Sequence, residues 1–203
     1  MIDEFDRNLI DAIGKESILY PSVEILVENK VAVRDGRGIF IGSGCCLYPR
    51  NRIVLGDMGA NKTAHFMLAD RVMINSGCYL SGEGSLTMGD DVLIGPNTCI
   101  LSAGHAFTDP DKVIQKQPIT YGPVVIEKGA WVGASSVVLQ GVTIGEGAVI
   151  GAGAVVPRTI PPFAVAVGNP ARIIKFRKPG QGPEAISMFN KIVRFFLKKS
   201  ILK

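Results

Sequence analysis

The sequence has few of the residues that metal centres, disulfide scaffolds and membrane spans need. Its 203 residues contain two histidines and four cysteines, with no CxxC pair. No Cys/His set completes a zinc site, so no metal is expected, and the cysteines are expected to be small buried residues. No apolar run approaches the ~20 residues that cross a bilayer, and the N-terminal segment is acidic, so we expect a cytoplasmic protein.

Positive charge is concentrated at one end of the chain. Residues 171–203 carry nine bases and one acid, whereas residues 1–28 carry two bases and seven acids. A basic segment of this kind favours an anionic partner, such as a phosphorylated cofactor, an anionic lipid surface or a nucleic acid. Nucleic acid is disfavoured because the rest of the chain has no basic stripe with interleaved aromatic residues.

The clearest feature of the sequence is a six-residue repeat in a glycine-rich region. Twenty of the 24 glycines lie between Gly36 and Gly153. Aliphatic residues recur six apart at Ile126, Val132, Val138, Ile144, Ile150 and Val156. The pattern runs upstream through Met88, Ile94, Ile100 and Ala106, and more weakly from Ile41. Its register shifts by two residues after Leu86 and by twenty after Ala106.

A spacing of six is typical of a parallel β-helix, in which three short strands form each coil and glycine serves the tight corners. We therefore expect an all-β fold, with the β-helix over residues 41–176 and an inserted loop at 107–123. A short helix over residues 5–14 is predicted within an N-terminal lead-in of residues 1–40. A basic amphipathic helix is predicted within residues 177–203.

Three stretches follow one another in a fixed order: SAGHAFTDPDK, then GPVVIEKGAWVGASS and the coils after it, then IPPFAVAVGNPARII. In this order they resemble the hexapeptide-repeat acyltransferases, most of all the maltose, galactoside and polysaccharide O-acetyltransferases, over roughly residues 70–176. The resemblance implies a left-handed β-helix and a homotrimer. It further implies that acetyl-CoA, the acyl donor, lies between subunits and that a sugar or glycan is the acceptor.

His105 is the candidate catalytic residue. It lies directly before the insertion that interrupts the repeat. A hydroxyl that attacks a thioester must lose its proton, and an imidazole is suited to accept it. An isolated histidine is more often an ordinary surface or core residue, so the assignment as general base of a direct transfer rests on the surrounding motif. Its orienting partner stays open among Asp109, Asp111, Gln115 and a backbone carbonyl, and His65 receives no role.

The resemblance assigns acceptor or groove contacts to Asn75 and Trp131. Asn75 matches the position of an asparagine that contacts the acceptor hydroxyl, although a turn asparagine would look the same in the sequence. Trp131 is the single tryptophan, and an exposed indole is a good wall for a sugar ring or a pantetheine arm. Ordinary coil packing is the alternative for Trp131.

The resemblance also assigns CoA contacts. Ala134 and Ala152 match positions whose backbone groups hydrogen-bond the pantetheine arm. Arg158, Arg172 and Lys175 match basic positions near the nucleotide and phosphates of CoA, where charge-assisted hydrogen bonds are expected. Pro157 stands where many relatives have threonine, so contacts at the adenine end are less defined.

Three alternatives stay open at this point. N-acetylation of an amino sugar or aminoglycoside-like amine uses the same scaffold. A non-catalytic β-helix scaffold at a membrane surface is another, with the basic C-terminal helix as a peripheral contact. A zinc enzyme like the γ-type carbonic anhydrases, which uses three histidines, is disfavoured because the sequence contains only His65 and His105.

Overall fold

Three parallel sheets form the faces of a triangular prism. The structure, a computed structural model, describes residues 8–30 and 36–177. Face 1 consists of β1 (Ala12–Ile13), β4 (Ile39–Ile41), β7 (Phe66–Leu68), β10 (Leu86–Met88), β15 (Val124–Ile126) and β18 (Thr143–Ile144). Face 2 consists of β2 (Ile18–Leu19), β5 (Cys46–Leu47), β8 (Met73–Ile74), β11 (Leu93–Ile94), β16 (Trp131–Val132), β19 (Val149–Ile150), β21 (Ala164–Val167) and the antiparallel β22 (Arg172–Phe176).

Face 3 completes the prism. It consists of β3 (Glu24–Glu28), β6 (Arg52–Asp57), β9 (Tyr79–Ser81), β12 (Cys99–Ile100), β17 (Val137–Val138) and β20 (Val155–Val156). The chain visits the three faces in turn, so the 18 strands of faces 1, 2 and 3 up to β20 make six complete coils. The remaining pair, β13 (Ala103–His105) and β14 (Ile119–Tyr121), forms a separate antiparallel hairpin. The predicted all-β fold of parallel strands is thus confirmed.

The repeat aliphatics fill the inside of the prism. In the two-residue strands from β2 onward, the second residue points inward because side chains alternate along a strand. The inward residues that are 0% exposed include Ile126, which ends the three-residue β15, and Ile94, Val132, Val138, Ile144, Ile150 and Val156. In β1 the second residue, Ile13, is instead 37% exposed. Each buried Val, Leu or Ile of this kind contributes roughly 1.5–3 kcal/mol of transfer free energy, so the stacked column is the main source of stability.

The predicted N-terminal helix is wrong for residues 8–14. Residues 12–13 are instead β1, which pairs in parallel with β4, and Ile18 and Leu19 continue as β2. A complete first coil therefore precedes residue 41, where the sequence predicts the start of the β-helix. The predicted C-terminal helix lies outside the described residues, apart from residue 177. No helix in the described ranges is long and apolar enough to cross a membrane.

The three edges of the prism differ in a regular way. Every linker between faces 1 and 2, and between faces 2 and 3, has the same length of four residues. Linkers at the edge between faces 3 and 1, called here the 3–1 edge, vary from the short segment 157–159 to the long segment 101–123. The extra chain therefore collects along the 3–1 edge. The shift of twenty residues falls there, whereas Leu86 and Met88, which frame the shift of two, both lie in β10.

The outer surface of face 2 is apolar from β2 to β21. Strand pairing aligns one outward residue from each of these seven strands: Ile18, Cys46, Met73, Leu93, Trp131, Val149 and Val165. We call this set the apolar row. Ile18, Met73 and Trp131 are each more than 40% exposed. All four cysteines are free. Cys45 and Cys78 are buried as expected, whereas Cys46 and Cys99 are only partly buried. Burial raises the pKa of Cys78 to about 11.

Candidate functional site

The hairpin that carries His105 projects from the 3–1 edge. Its two strands pair Ala103 with Tyr121 and His105 with Ile119. Residues directly opposite in an antiparallel pair extend their side chains to the same side, and so do residues two apart on one strand. The side chains of His105, Ile119 and Tyr121 therefore share one side of the hairpin, and all three are exposed.

A buried serine pair fixes the base of this hairpin. The hydroxyls of Ser81 and Ser102 lie 2.9 Å apart, and both residues are at most 1% exposed. The Ser102 hydroxyl donates to the Ser81 carbonyl at 2.7 Å and accepts the Gly84 N–H at 2.8 Å. Gly122 N–H donates to the Ser102 carbonyl at 2.9 Å. Buried polar groups with full sets of partners hold one geometry, so His105 projects from a rigid support.

The tip of the hairpin is organised by a residue that the sequence did not reveal. Gln117 is 6% exposed, and its amide nitrogen donates to the carbonyls of Asp109 at 2.9 Å and Lys112 at 3.0 Å. The Asp109 carboxylate pairs with Lys112 at 3.0 Å and accepts the Asp111 N–H. Within the described chain, no hydrogen bond joins these carboxylates to the His105 ring. An orienting role for Asp109 or Asp111 therefore has no support in this structure.

A cavity of about 400 Å³ opens beside the hairpin along the 3–1 edge. It is lined by Asp57, Ala60, Asn61, Lys62, Thr63, Glu83, Ile119 and Tyr121. Ile119 and Tyr121 belong to the same side of the hairpin as His105, so the imidazole lies at the rim of this cavity. The lining combines an aromatic ring and an aliphatic side chain with carboxylate, amide, hydroxyl and ammonium groups. We call it the edge cavity.

The other predicted site residues lie elsewhere on the prism. Asn75, Ala134 and Ala152 lie at the edge between faces 2 and 3, called here the 2–3 edge, in the third, fifth and sixth coils. Asn75 donates its side-chain amide to the Ile94 carbonyl at 2.9 Å, which links successive coils. Gly153 N–H donates to the Ala134 carbonyl at 2.8 Å. The structure thus brings these three residues into one line, away from the hairpin.

Trp131 lies on face 2, opposite the 3–1 edge. It is 49% exposed and borders a second cavity of about 400 Å³ with Asp91, Val149 and Arg177. Within one chain, therefore, Trp131 and the 2–3 edge are not brought together with His105. The contacts that the resemblance assigns to them cannot be made to a single ligand by one chain alone.

The three predicted basic residues are all exposed near the end of the stack. Arg158 lies in the linker after β20, and Arg172 and Lys175 lie on β22. Arg172 donates to the neighbouring Ala171 carbonyl at 3.0 Å. None of the three forms an ion pair within the described part of the chain. No group of three or more His, Cys, Asp or Glu side chains able to hold a metal ion occurs in the same ranges.

His65 lies in the linker before β7, near the 3–1 edge, and is partly buried. Its ring packs on Phe40 with centroids 5.6 Å apart, and its Nδ1 is buried without a hydrogen-bond partner among the described residues. Burial lowers the pKa of His65 because the charged imidazolium loses water. These features indicate a structural side chain that stays neutral at neutral pH.

The partial burial of His65 predicts a pH dependence of stability. Its pKa is lower in the folded than in the unfolded state, so the unfolded state binds more protons as pH falls below about 6.5, the ordinary histidine value. The free energy of unfolding should decrease through that window. Urea unfolding at pH 7.5 and 5.5 measures this decrease, which should be smaller in His65→Gln. An equal decrease in both proteins would contradict the prediction.

Comparison with known proteins agrees with this architecture. Residues 123–158 match the family described as bacterial transferase hexapeptide (six repeats). The chain is 40% identical over 92 residues to galactoside O-acetyltransferase of Escherichia coli, covering 45% of this chain and 44% of that protein. It spans about half or less of the length of the curated relatives that it matches.

Two solved structures extend the likeness to most of the fold. A hexapeptide-repeat acetyltransferase from Vibrio cholerae, complexed with acetyl coenzyme A, is 28% identical with a TM-score of 0.55, covering 85% of this chain and 74% of that one. A mutant of AntD, an N-acyltransferase from Bacillus cereus in complex with dTDP and coenzyme A, covers 94% and 95% with a TM-score of 0.69. At 22% identity, AntD shares only the fold. The predicted resemblance is therefore confirmed: this chain is similar to the hexapeptide-repeat acetyltransferases, and its residues 123–158 match the bacterial transferase hexapeptide family.

Proposed function

We propose that the protein is an acetyl-CoA-dependent O-acetyltransferase that acts on a hydroxyl of a sugar or glycan, with His105 as general base. The observation that carries this proposal is the placement of His105, which is exposed on a rigid hairpin at the rim of the edge cavity. Similarity to a galactoside O-acetyltransferase and to an acetyltransferase crystallised with acetyl coenzyme A supports the choice of reaction.

The proposed chemistry is a direct transfer. The His105 imidazole accepts the proton of the acceptor hydroxyl while that oxygen attacks the thioester carbonyl carbon. The tetrahedral intermediate collapses as the C–S bond breaks, and the thiolate of CoA leaves. The imidazolium returns its proton to that thiolate, so the products are the sugar acetate ester and CoA thiol. The transfer therefore needs no acyl-enzyme intermediate.

We further propose that the protein forms a homotrimer of left-handed β-helices. One chain keeps His105 apart from the 2–3 edge, where Asn75, Ala134 and Ala152 lie. A neighbouring copy that presents this edge to the hairpin places the acyl donor, the asparagine and the imidazole in one groove. The apolar row on face 2 supports association, since exposed apolar strips of this extent on a soluble protein commonly mark interfaces.

Acetyl-CoA is proposed to lie along that groove. The backbone at Ala134 and Ala152 hydrogen-bonds the pantetheine arm, for which small side chains leave room. Trp131 forms part of the groove wall. Arg158, Arg172 and Lys175 bind the phosphates, and their exposure and lack of ion pairs within the described chain fit this use. We place the reaction in the cytoplasm, with peripheral membrane contact through residues 177–203 as part of the proposal.

The proposal is tested by thiol release from acetyl-CoA with methyl β-D-galactoside, maltose and D-glucosamine as acceptors. We expect acceptor-dependent release of CoA with the first two and an ester product by mass spectrometry. Exclusive formation of an amide on glucosamine would identify the N-acetyltransferase instead. Binding of none of the acceptors, together with no thiol release, would favour the non-catalytic scaffold.

A further inference from the structure

One column of residues along the 2–3 edge changes character from the first coil to the last. Strand pairing aligns Leu19, Leu47 and Ile74, so the residues that follow them lie in successive coils at the same corner: Tyr20, Tyr48 and Asn75. In the next three coils this corner is occupied by Gly95, Gly133 and Gly151. The proposed pantetheine contacts directly follow the last two of these glycines. The two tyrosines at the other end of the column have no role in the proposed reaction.

The two ends of this column differ for a physical reason. A Cβ atom at Gly95 would lie 2.5 Å from the Ala134 nitrogen, and one at Gly133 would lie 2.6 Å from the Ala152 nitrogen. Only glycine fits there, so the later coils carry no side chain at this corner. The first two coils instead carry an aromatic ring at the same corner.

Tyr20 and Tyr48 form a stacked pair. Their ring centroids lie 5.2 Å apart and their planes differ by 7°, which fits the spacing of about 4.8 Å between paired strands. Tyr20 is 36% exposed and Tyr48 is partly buried. Because β2 is the outermost strand of its sheet, no further coil within the described ranges covers the side of the Tyr20 ring that faces away from Tyr48. The pair therefore offers an open ring face with phenol groups beside it.

The backbone under this pair is fixed by a buried amide side chain. Asn51 is 0% exposed, and its side-chain amide donates to the Tyr48 carbonyl at 2.8 Å. Asn51 Oδ1 accepts the Cys78 N–H at 2.8 Å, which ties the second coil to the third. Tyr20 N–H donates to the Leu47 carbonyl at 3.0 Å. A preorganised aromatic surface of this kind loses little conformational entropy when a ligand binds.

The chemistry of this region favours an uncharged sugar residue over a nucleotide. The two rings are already in contact, so a planar base does not fit between them. Arg50 is the only charged residue in the described linkers of the 2–3 edge, and it forms no ion pair with the described residues. One guanidinium is poorly suited to hold a diphosphate alone, but its N–H groups suit sugar hydroxyls. The apolar face of a pyranose packs on an aromatic ring such as that of Tyr20.

The distance from Asn75 decides which sugar residue reaches the pair. Asn75 is the proposed contact of the reacting hydroxyl, and Tyr48 and Tyr20 lie one and two coils from it, on the side away from Ala134. At about 4.8 Å per coil, these offsets are about 5 and 10 Å. They correspond to the sugar residue next to the one that is acetylated, not to the reacting residue itself.

We infer that Tyr20 and Tyr48 form a second sugar-binding subsite, which holds the saccharide residue next to the one that receives the acetyl group. The inference rests on the proposed function for the position of the reacting residue. The pair itself belongs to one chain and lies outside residues 123–158, which match the hexapeptide family. It makes the preferred acceptor a di- or oligosaccharide rather than a monosaccharide.

Kinetics with monosaccharide and disaccharide acceptors test this subsite. In the wild-type protein, kcat/KM for lactose and maltose should exceed that for methyl β-D-galactoside and methyl α-D-glucoside about 3- to 10-fold, the size of one aromatic stacking contact. Tyr20→Leu should bring this ratio close to one, whereas Tyr20→Phe, which keeps the ring, should retain most of it. Phe40→Leu is the matched control and should keep the wild-type ratio, because Phe40 is a partly buried aromatic residue of the second coil on face 1.

Direct binding separates failure of this inference from failure of the proposed function. In saturation-transfer NMR without acetyl-CoA, both rings of lactose or maltose should receive saturation from the wild-type protein, and one of the two should lose it in Tyr20→Leu. That pattern without thiol release would keep the second subsite and remove the acetyltransferase. Thiol release with an unchanged disaccharide preference in Tyr20→Leu, or no disaccharide binding to the wild-type protein, would overturn the inference. Tighter binding of UDP-galactose that Tyr20→Leu weakens would also overturn it, since the pair would then hold a nucleotide.

Discussion

Replacing His105 by glutamine is expected to lower kcat for acetyl transfer by about 10²- to 10⁴-fold, the usual contribution of a general base. Glutamine keeps hydrogen-bonding groups at the end of the hairpin but does not accept a proton from the acceptor hydroxyl. The exposed position of His105 means that the substitution removes no packing. Steady-state kinetics with methyl β-D-galactoside at saturating acetyl-CoA measures the loss.

Two further measurements show whether the loss of kcat is due to the imidazole of His105. The dissociation constant for CoA, measured by calorimetry, should stay within about twofold of wild type, since the proposed CoA contacts are made by residues other than His105. His65→Gln is the matched control, because it removes the other histidine of the chain, whose ring packs on Phe40 and does not line the cavity. Wild-type turnover in His105→Gln would overturn the proposed mechanism, whatever happens to CoA affinity.

The sequence repeat predicted the core of the fold because each coil repeats one physical requirement. A tight three-stranded coil needs an aliphatic residue at every sixth position, and the predicted residues from Ile126 to Val156 are indeed completely buried. The register shift after Ala106 correctly marked the place where the chain leaves the stack. What the repeat predicts is the set of inward positions and the location of the interruption.

The first coil escaped prediction because the linkers at the 3–1 edge have no fixed length. The inward residues Leu19 and Leu47 pair across adjacent coils, but their separation in the sequence is a multiple of neither six nor eighteen. Residues 5–14 have apolar residues at helical spacing, but strand pairing with β4 overrides that local pattern. The expectation that glycine occupies the tight corners of the coils was also incomplete. Corner positions with φ near +58° hold Arg71 and Asp91 as well as glycine.

The candidate site was predicted only in part, for a related reason. His105 is predictable because a motif surrounds it, but the edge cavity is assembled from several segments that are far apart in the sequence. None of its residues, Glu83 included, occupies a repeat position, so the repeat does not predict them. The same holds for Gln117 at the tip of the hairpin. The serine pair at the base of the hairpin was not predictable from the sequence either, because serine is common at corners of such coils.

Substitution of Gly84 by alanine is expected to have the second large effect, on both stability and turnover. A Cβ atom at Gly84 would collide with the carbonyl oxygen of Ser102 and lie 2.8 Å from the Gly122 nitrogen, both of which are backbone atoms. The hairpin base has no room to relax without breaking the Gly84 N–H bond to the Ser102 hydroxyl. We expect the free energy of unfolding to fall by about 3 kcal/mol, as for severe overpacking, and the melting temperature by roughly 6–12 °C.

Gly84→Ala should also lower kcat by about 10²-fold, since the hairpin base sets the position of His105 and displacements of about 1 Å in a catalytic group have effects of that size. Gly104→Ala is the matched control for stability, because it adds the same methyl group to the same hairpin. There the new Cβ would meet its nearest neighbours, Gln140 and Thr120, at 3.5–3.7 Å, which is ordinary contact. Thermal unfolding followed by circular dichroism compares the two variants. Equal melting temperatures for Gly84→Ala and Gly104→Ala would show that the hairpin base is not rigid, and His105 would then need another means of being held at the cavity.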